Sequence, residues 1–293
     1  MKSPEKIRSA FTKALNSSTV LQLPGAYNPM VAMLIEQQGF DGVYCSGAVI
    51  SNSLGLPDIG LTTLTEVSLF AQQVIERTNL PIIVDADTGF GDVMNVARTV
   101  AELEHNGVTA IHIEDQISPK RCGHLDGKEL ISTKHMTHKI KAAVDAKIDS
   151  NFLIIARTDA KSVEGIDAAI ERAKAYIDAG ADAIFPEALQ NEKEMEIFRK
   201  AINVPLLSNM TEFGKTEILN INQIQNLGYN MVIYPVTMQR LAMMAVENGL
   251  ESIKKNGSQK EVLSSMQTRK RLYEILKYDK YNDIDKGIYN FKI

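Results

Sequence analysis

Cysteine is scarce. Only Cys45 and Cys122 occur in 293 residues, too few for a disulfide framework, which points to a reducing, cytosolic setting. Long apolar runs are missing too, so no segment reads as a membrane span. The opening Met1-Lys2-Ser3-Pro4-Glu5-Lys6 lacks the apolar core of a signal peptide, and a cytoplasmic protein is expected. No charge of one sign dominates: the net charge is −4, which offers nucleic acid or an anionic membrane no general attraction. Low-complexity linkers and short repeats are absent as well. What is plentiful is apolar residue, 44% of the chain. That is ample for one large core, in a length that suits two average domains or one α/β barrel.

Eight short apolar runs recur, at residues 20–23, 42–45, 81–87, 110–113, 152–156, 183–185, 204–207 and 231–234. Each reads as a buried strand. Most of the segments between them keep helical spacing, as Ile166, Ile170, Ala173 and Ile177 do. Gly39, Gly107, Gly180 and Gly228 each stand a few residues before a run, where a helix must stop. Residues 4–16 predict a leading helix with Ile7, Phe11 and Leu15 on one face. Eight strand–helix units predict an α/β chain folded as one (β/α)8 barrel of the TIM type over residues 1–293. The alternative, an open doubly wound sheet, needs a glycine-rich phosphate turn after the first strand, and Gly25-Ala26-Tyr27-Asn28 is not one. Residues 258–293 form a C-terminal extension. Its first part, 258–276, predicts a helix burying Val262, Met266 and Leu272; its polar, tyrosine-rich remainder, 278–293, shows no clear period and is expected to be loosely ordered or packed on a neighbour.

Chemistry in a barrel gathers at the carboxyl ends of the strands, and the polar residues obey that rule. The third run leads into Val84-Asp85-Ala86-Asp87-Thr88-Gly89-Phe90-Gly91-Asp92. Alternation along a strand puts Asp85 and Asp87 on one side. Two close carboxylates repel unless a cation lies between them or they share a proton, and oxygen ligands suit Mg²⁺ or Mn²⁺. Asp92 reads instead as the cap of the next helix, ahead of Val93, Val96, Val100 and Leu103. The second run ends in Ser46-Gly47, the fourth in His112-Ile113-Glu114-Asp115 and the fifth in Arg157-Thr158-Asp159. The sixth ends in Glu187 and the seventh in Ser208-Asn209, and Arg240 follows the eighth. Parity pairs His112 with Glu114, Phe185 with Glu187 and Arg157 with Asp159 on shared faces. Strand ends are polar wherever they meet water, but that explains less well an acid, arginine or amide after nearly every run. Asp85, Asp87 and Glu114 suit one Mg²⁺, partly through water. Arg157, Arg240 and Arg269 are forked donors for carboxylates. The expected substrate is a small polycarboxylate or a phosphorylated acid.

One loop stands apart: Ser118-Pro119-Lys120-Arg121-Cys122-Gly123-His124-Leu125-Asp126-Gly127-Lys128. Cys122 lies among Lys120, Arg121 and His124, which predicts a favoured thiolate and easy proton exchange. The loop has the length and composition of a lid. Cys45, inside an apolar run, reads as a buried small hydrophobe.

These residues carry a resemblance. Lys120-Arg121-Cys122-Gly123-His124 after Ile113-Glu114-Asp115-Gln116 resembles the signature of the isocitrate lyase and phosphoenolpyruvate mutase superfamily, most closely its 2-methylisocitrate-cleaving branch. It extends through Gly55-Leu56-Pro57-Asp58, Ala156-Arg157-Thr158-Asp159-Ala160, Phe185-Pro186-Glu187-Ala188, Asn209-Met210-Thr211-Glu212-Phe213-Gly214 and Met266-Gln267-Thr268-Arg269. The phosphonomutase branch lacks the cysteine motif. The resemblance implies a Mg²⁺-dependent barrel enzyme of propionate breakdown, cleaving a small tricarboxylate to pyruvate and succinate. It also implies a homotetramer whose C-terminal helices swap between subunits.

Carried over, Asp85 and Asp87 hold the metal with Glu114 assisting. Ser46, Gly47, Ala48, Cys122, Gly123, Arg157, Glu187, Asn209, Met210, Thr211, Arg240 and Arg269 contact substrate. Asp58 and Tyr44 are the candidate bases, Arg157 stabilises developing charge and Cys122 returns a proton to carbon. Phe185 and Ile233 are placed near the substrate methyl. Two departures stand out: Ala48 replaces the usual glycine, and Leu125-Asp126 replaces a more basic pair. Sister activities on dimethylmalate, isocitrate or oxaloacetate are the alternatives within the superfamily. A barrel that binds polycarboxylates without turning them over is the alternative outside it.

Overall fold

The computed structural model describes residues 2–289. The chain divides into two compact units, residues 1–238 and 239–293.

In the first unit all eight apolar runs are strands: β1 (Leu21–Pro24), β2 (Val43–Cys45), β3 (Ile82–Asp85), β4 (Ala110–Glu114), β5 (Leu153–Thr158), β6 (Ala183–Pro186), β7 (Leu207–Asn209) and β8 (Met231–Tyr234). They alternate with α1 (Pro4–Leu15), α2 (Pro29–Gln37), α3 (Gly47–Ser53), α4 (Leu64–Ile75), α5 (Val93–His105), α6 (Thr133–Ala146), α7 (Ile166–Asp178), α8 (Glu192–Ala201) and α9 (Ile221–Asn226). Every strand pairing is parallel, in sheets ordered β1-β8-β7 and β2-β3-β4-β5-β6. Single parallel bridges, Gly25 with Tyr44 and Ile184 with Leu206, join the margins of the two sheets. The result is a TIM-barrel-like α/β arrangement.

Strand parity sorts the apolar residues into two clusters. One contains at least one residue from each strand, among them Leu23, Tyr44, Ile83, Ala110, Ile155, Phe185, Leu207 and Ile233; Phe11 and Leu15 of α1 join it. The other takes the opposite face, Val43, Val84, Ile111, Ile113, Ile154, Ile184 and Val232, and packs it on the helices. With both faces covered, the strands read as continuous apolar runs. Helix α1 follows its predicted stripe, with Phe11 and Leu15 buried. Buried Arg8 fastens it further. Its Nε donates to the Val108 carbonyl at 2.9 Å, and its guanidinium reaches Asp149 at 3.3 Å and Glu104 at 3.9 Å. Asp92 caps α5 as expected, accepting the Val93 N–H at 2.8 Å.

Strand β7 begins later than the apolar run 204–207 suggests, because Pro205 has no N–H to donate to a ladder. The second unit departs further. Helix α10 (Thr237–Asn256) enters it, and Gly257 follows in the left-handed region at φ 63°. The single helix expected over 258–276 is replaced by a 3₁₀ turn at Lys260–Ser265 and a separate α11 (Arg269–Ile275). Thr268 is the reason, since its hydroxyl accepts the Arg271 N–H and starts a new helix. Met266, expected to be buried, is 46% exposed. The stretch expected to be loosely ordered is helix α12 (Tyr278–Tyr289), with residues 290–293 of that prediction outside the described residues.

Candidate active site

The site is made of register partners on neighbouring strands. Asp85 of β3 lies opposite His112 of β4, Glu114 of β4 opposite Arg157 of β5, and Arg157 opposite Phe185 of β6. Because parallel strands in register share their inward face, these side chains meet with no help from loops.

Asp85 and Asp87 do converge, but by a different route from strand parity. Strand β3 ends at Asp85, and Asp87 sits in the left-handed region at φ 47°. The chain curls so that the Asp87 N–H donates to Asp85 Oδ1 at 3.0 Å. Gly47, at the start of α3, shows how close the pair comes. Its N–H donates to Asp85 Oδ2 at 3.0 Å, and a Cβ there would lie 2.9 Å from that oxygen and 3.1 Å from Asp87 Oδ1. Burial raises both acids; His112, Lys120 and Arg157 outweigh it at Asp85 and hold that carboxyl low, whereas at Asp87 burial and the neighbouring Asp85 outweigh Lys120 and push it up.

The residues fit a hydrated divalent ion. Among the described residues, no group of three or more His, Cys, Asp or Glu side chains is arranged to hold a metal directly. A pair of carboxylates suits Mg²⁺, which keeps several waters. Behind the pair, Glu114 is fully buried, and no hydrogen bond from the described residues reaches either of its oxygens. Burial pushes its carboxyl well above the usual range, and Arg157 Nε lies 3.3 Å away. Such orphaned acceptors suit water on a nearby cation.

Arg157 is the hub. Its guanidinium donates to Asp159 at 3.0 and 3.3 Å, stands 3.4 Å from Glu187, and lies over the Phe185 ring at 5.1 Å. Tyr44 and His112 form a second inward pair, OH to Nε2 at 2.7 Å, with Asp85 Oδ1 3.6 Å beyond. Burial lowers His112 to about 4 and raises Tyr44 well above the phenol range, so both rings are neutral.

The cysteine loop lies down on this cluster. Its neck is closed by a Gln116–Leu130 bridge and by the Ile117 N–H on the Glu129 carbonyl at 2.8 Å. Gly123 presses so close that a Cβ would fall 2.4 Å from Arg157 Nη2 and 2.6 Å from Glu187 Cγ; only glycine fits. Lys120 pairs with Asp58 and reaches Asp87 at 2.8 Å. His124 lies 3.1 Å from Glu187 and accepts the Lys215 N–H on Nδ1 at 2.9 Å. Asp126, one of the departures noted above, meets Lys215 at 2.5 Å.

This geometry corrects the expectation of a thiolate. Lys120 and His124 are turned to carboxylates and Arg121 is exposed, so burial dominates and raises the Cys122 thiol. Cys45, fully buried, is pushed up to about 12.

Asn209 Nδ2 lies 3.3 Å from Glu187. Ser46 and Thr211 are buried, and Ala48 is half-buried in α3. Met210 turns its side chain into the outer cluster, where Sδ accepts the Leu219 N–H, and its own N–H donates to the Ile233 carbonyl at 3.0 Å, so only its carbonyl remains for a ligand. Arg240 and Arg269 belong to the second unit. Sequence reasoning gave Lys128 and Asp115 no role of their own and left out Tyr176. Asp115 accepts from Thr158, Tyr176 and the Asp159 N–H at 2.8 to 2.9 Å, and so supports Asp159 beneath Arg157. The outward parity of Asp115 beside inward Glu114 was the available signal.

Buried carboxylates suited to a cation, a clamped guanidinium and a protonated thiol on a lid define an enzyme site rather than a simple binding surface. The family model for phosphoenolpyruvate phosphomutase matches residues 11–254. A probable 2-methylisocitrate lyase of Corynebacterium glutamicum is 57% identical, over 97% of this chain and 94% of its own length. The 2-methylisocitrate lyase of Bacillus subtilis is 48% identical over 98% and 94%. Among solved structures, 2,3-dimethylmalate lyase superposes with a TM-score of 0.91 at 32% identity over 98% and 96% of the chains. Phosphonopyruvate hydrolase in complex with oxalate and Mg²⁺ superposes at 0.87 and 30% identity over 97% and 99%. The chain belongs to the 2-methylisocitrate lyases of the phosphoenolpyruvate mutase and isocitrate lyase superfamily.

Proposed function

We propose that the protein cleaves 2-methylisocitrate to pyruvate and succinate, with Mg²⁺ held by Asp85 and Asp87. The observation that carries this reading is the contact of Gly123 with Arg157 and Glu187, which seats the Cys122 segment against the strand ends bearing the carboxylates. When bound, the metal polarises the substrate hydroxyl and neighbouring carboxylate. Asp58, paired with Lys120, takes the hydroxyl proton. Tyr44 is the poorer base, since burial and Asp85 oppose loss of its proton. As the carbon–carbon bond breaks, the hydroxyl carbon becomes the ketone of pyruvate and the electron pair passes to the succinate half as an enediolate. Arg157, held rigid by Asp159 and Phe185, meets that charge. Cys122, already protonated, gives its proton to carbon and completes succinate.

Ser46, Gly47, Ala48, Gly123, Glu187, Asn209, the Met210 carbonyl and Thr211 bind substrate in this reading. Phe185 stands edge-on to His112 at 5.3 Å and is fully buried, as Ile233 nearly is; they bound the methyl pocket. One methyl is worth about 1–3 kcal/mol, so preference over isocitrate is substantial but finite. The two sheets form one closed barrel, and four chains assemble by exchanging C-terminal helices in the cytoplasm. Among the described residues, fifteen of the twenty-seven exposed large apolar side chains lie in residues 239–289, which supports such an assembly.

The test is pyruvate release from racemic 2-methylisocitrate beside glyoxylate release from isocitrate, each with Mg²⁺ and with EDTA. Metal-dependent pyruvate release well above glyoxylate release is expected. Equal rates overturn the methyl pocket, and no release from either substrate overturns the function.

A further inference from the structure

Lys128 is almost wholly buried yet belongs to no step above. Its side chain is 1% exposed, and its Nζ lies 2.9 Å from Asp159 Oδ1, whose own side chain is fully buried. The same ammonium donates to the Gly123 carbonyl. It therefore joins the Cys122-Gly123 segment of the lid to the carboxylate that holds Arg157. Asp159 is fixed in turn from below, through its N–H on Asp115, and Asp115 also accepts from Thr158 and Tyr176. The lid's neck is pinned at residues 116 and 130. Lys128, just inside that neck, spans the loop as an internal strut.

We infer that Lys128 is a positioning residue: it sets where Cys122 comes to rest over the substrate and ties that position to the orientation of Arg157. Among the described residues this buried ammonium has two acceptors and needs both, since losing Asp159 strips its counter-charge and losing the Gly123 carbonyl leaves a buried N–H unpaired. The lid's closed position and the guanidinium's orientation are thereby coupled. If the lid lifts, Gly123 leaves both Lys128 and Arg157. Small misplacements of a reacting group are costly, so the effect falls on turnover rather than on substrate capture.

The inference rests on the lyase reading for its kinetic part alone. In the test, Lys128→Met keeps the apolar stem and removes the charge. The expected result is a roughly 10²-fold lower kcat with KM within about threefold of the parent. Iodoacetamide labelling of Cys122 in the ligand-free enzyme, followed by peptide mass, should quicken about tenfold as the lid loosens. Lys128→Arg, which restores charge and donors, should recover part of both effects. Should K128M fail to fold, Lys128→Gln carries the same expectations. A folded K128M or K128Q with parental kcat, or with unchanged labelling, overturns the role, as does a K128R no better than K128M. Labelling does not depend on the acid role of Cys122, so failure of that role in a Cys122→Ser variant leaves this comparison intact.

Discussion

At the scale of single residues, the site depends on protonation states set by burial. Cys122 is raised by desolvation, with Arg157 and the His124 N–H opposing, so it waits as a thiol. Replacing it with serine should lower kcat by about 10²–10⁴-fold while product binding changes little, because a poorer acid then faces the enediolate. Product affinity by calorimetry and turnover by pyruvate release separate the two. Alkylation of Cys122 in the ligand-free enzyme should accelerate with pH and show its midpoint on the alkaline side of that of an ordinary thiol. Cys45, pushed up to about 12, should stay unlabelled throughout. Labelling of Cys122 with a midpoint below neutrality would restore the thiolate expected from its neighbours. That expectation failed for a physical reason: proximity in sequence located three cations, but not the carboxylates toward which two of them turn.

Among elements, α1 offers the clearest test. Arg8 joins it to the Val108 carbonyl, Asp149 and Glu104 inside an otherwise apolar contact. Arg8→Met should cost about 3 kcal/mol in urea unfolding, because Glu104 and Asp149 lose their shared cation. Asp149 gives the pH signature. Burial raises its carboxyl, but the Asn151 hydrogen bonds and Arg8 outweigh it and hold the group below the usual range. Its contribution is therefore complete above about pH 4 and fades as pH falls further. The stability gap between the parent and Asp149→Asn should narrow over that descent.

The strands were legible because both their faces are covered, leaving unbroken apolar runs between glycine stops. The second unit was not. In α12, Tyr281, Ile284 and Ile288 do keep helical spacing, yet the flanking tyrosines and charges mask the stripe, and all three are exposed. The break before α11 was written in Thr268, a cap residue that hydrophobic spacing alone passes over. Asp85 and Asp87 were read as neighbours correctly, but the left-handed turn that joins them has no signature beyond the nearby glycines.

For the whole molecule, the prediction concerns assembly. Light scattering after size exclusion should give four chains, and Ile284→Asp with Ile288→Asp, both on exposed positions of α12, should lower that number. A parent protein that runs as a monomer would remove the proposed exchange of helices. Among the described residues no helix is long and apolar enough to cross a membrane.

The register pairing of the site has a consequence for how such a protein can diversify. Glu114, Arg157 and Phe185 meet because their strands are in step. A one-residue insertion within β4 or β5 would turn every following side chain to the opposite face and dismantle the site at a stroke. Insertions after the strands, as in the cysteine loop, leave that alignment untouched. New substrate preferences in this scaffold are thus open to point substitution in the strands and to length change in the loops, and an engineer redesigning it meets the same division.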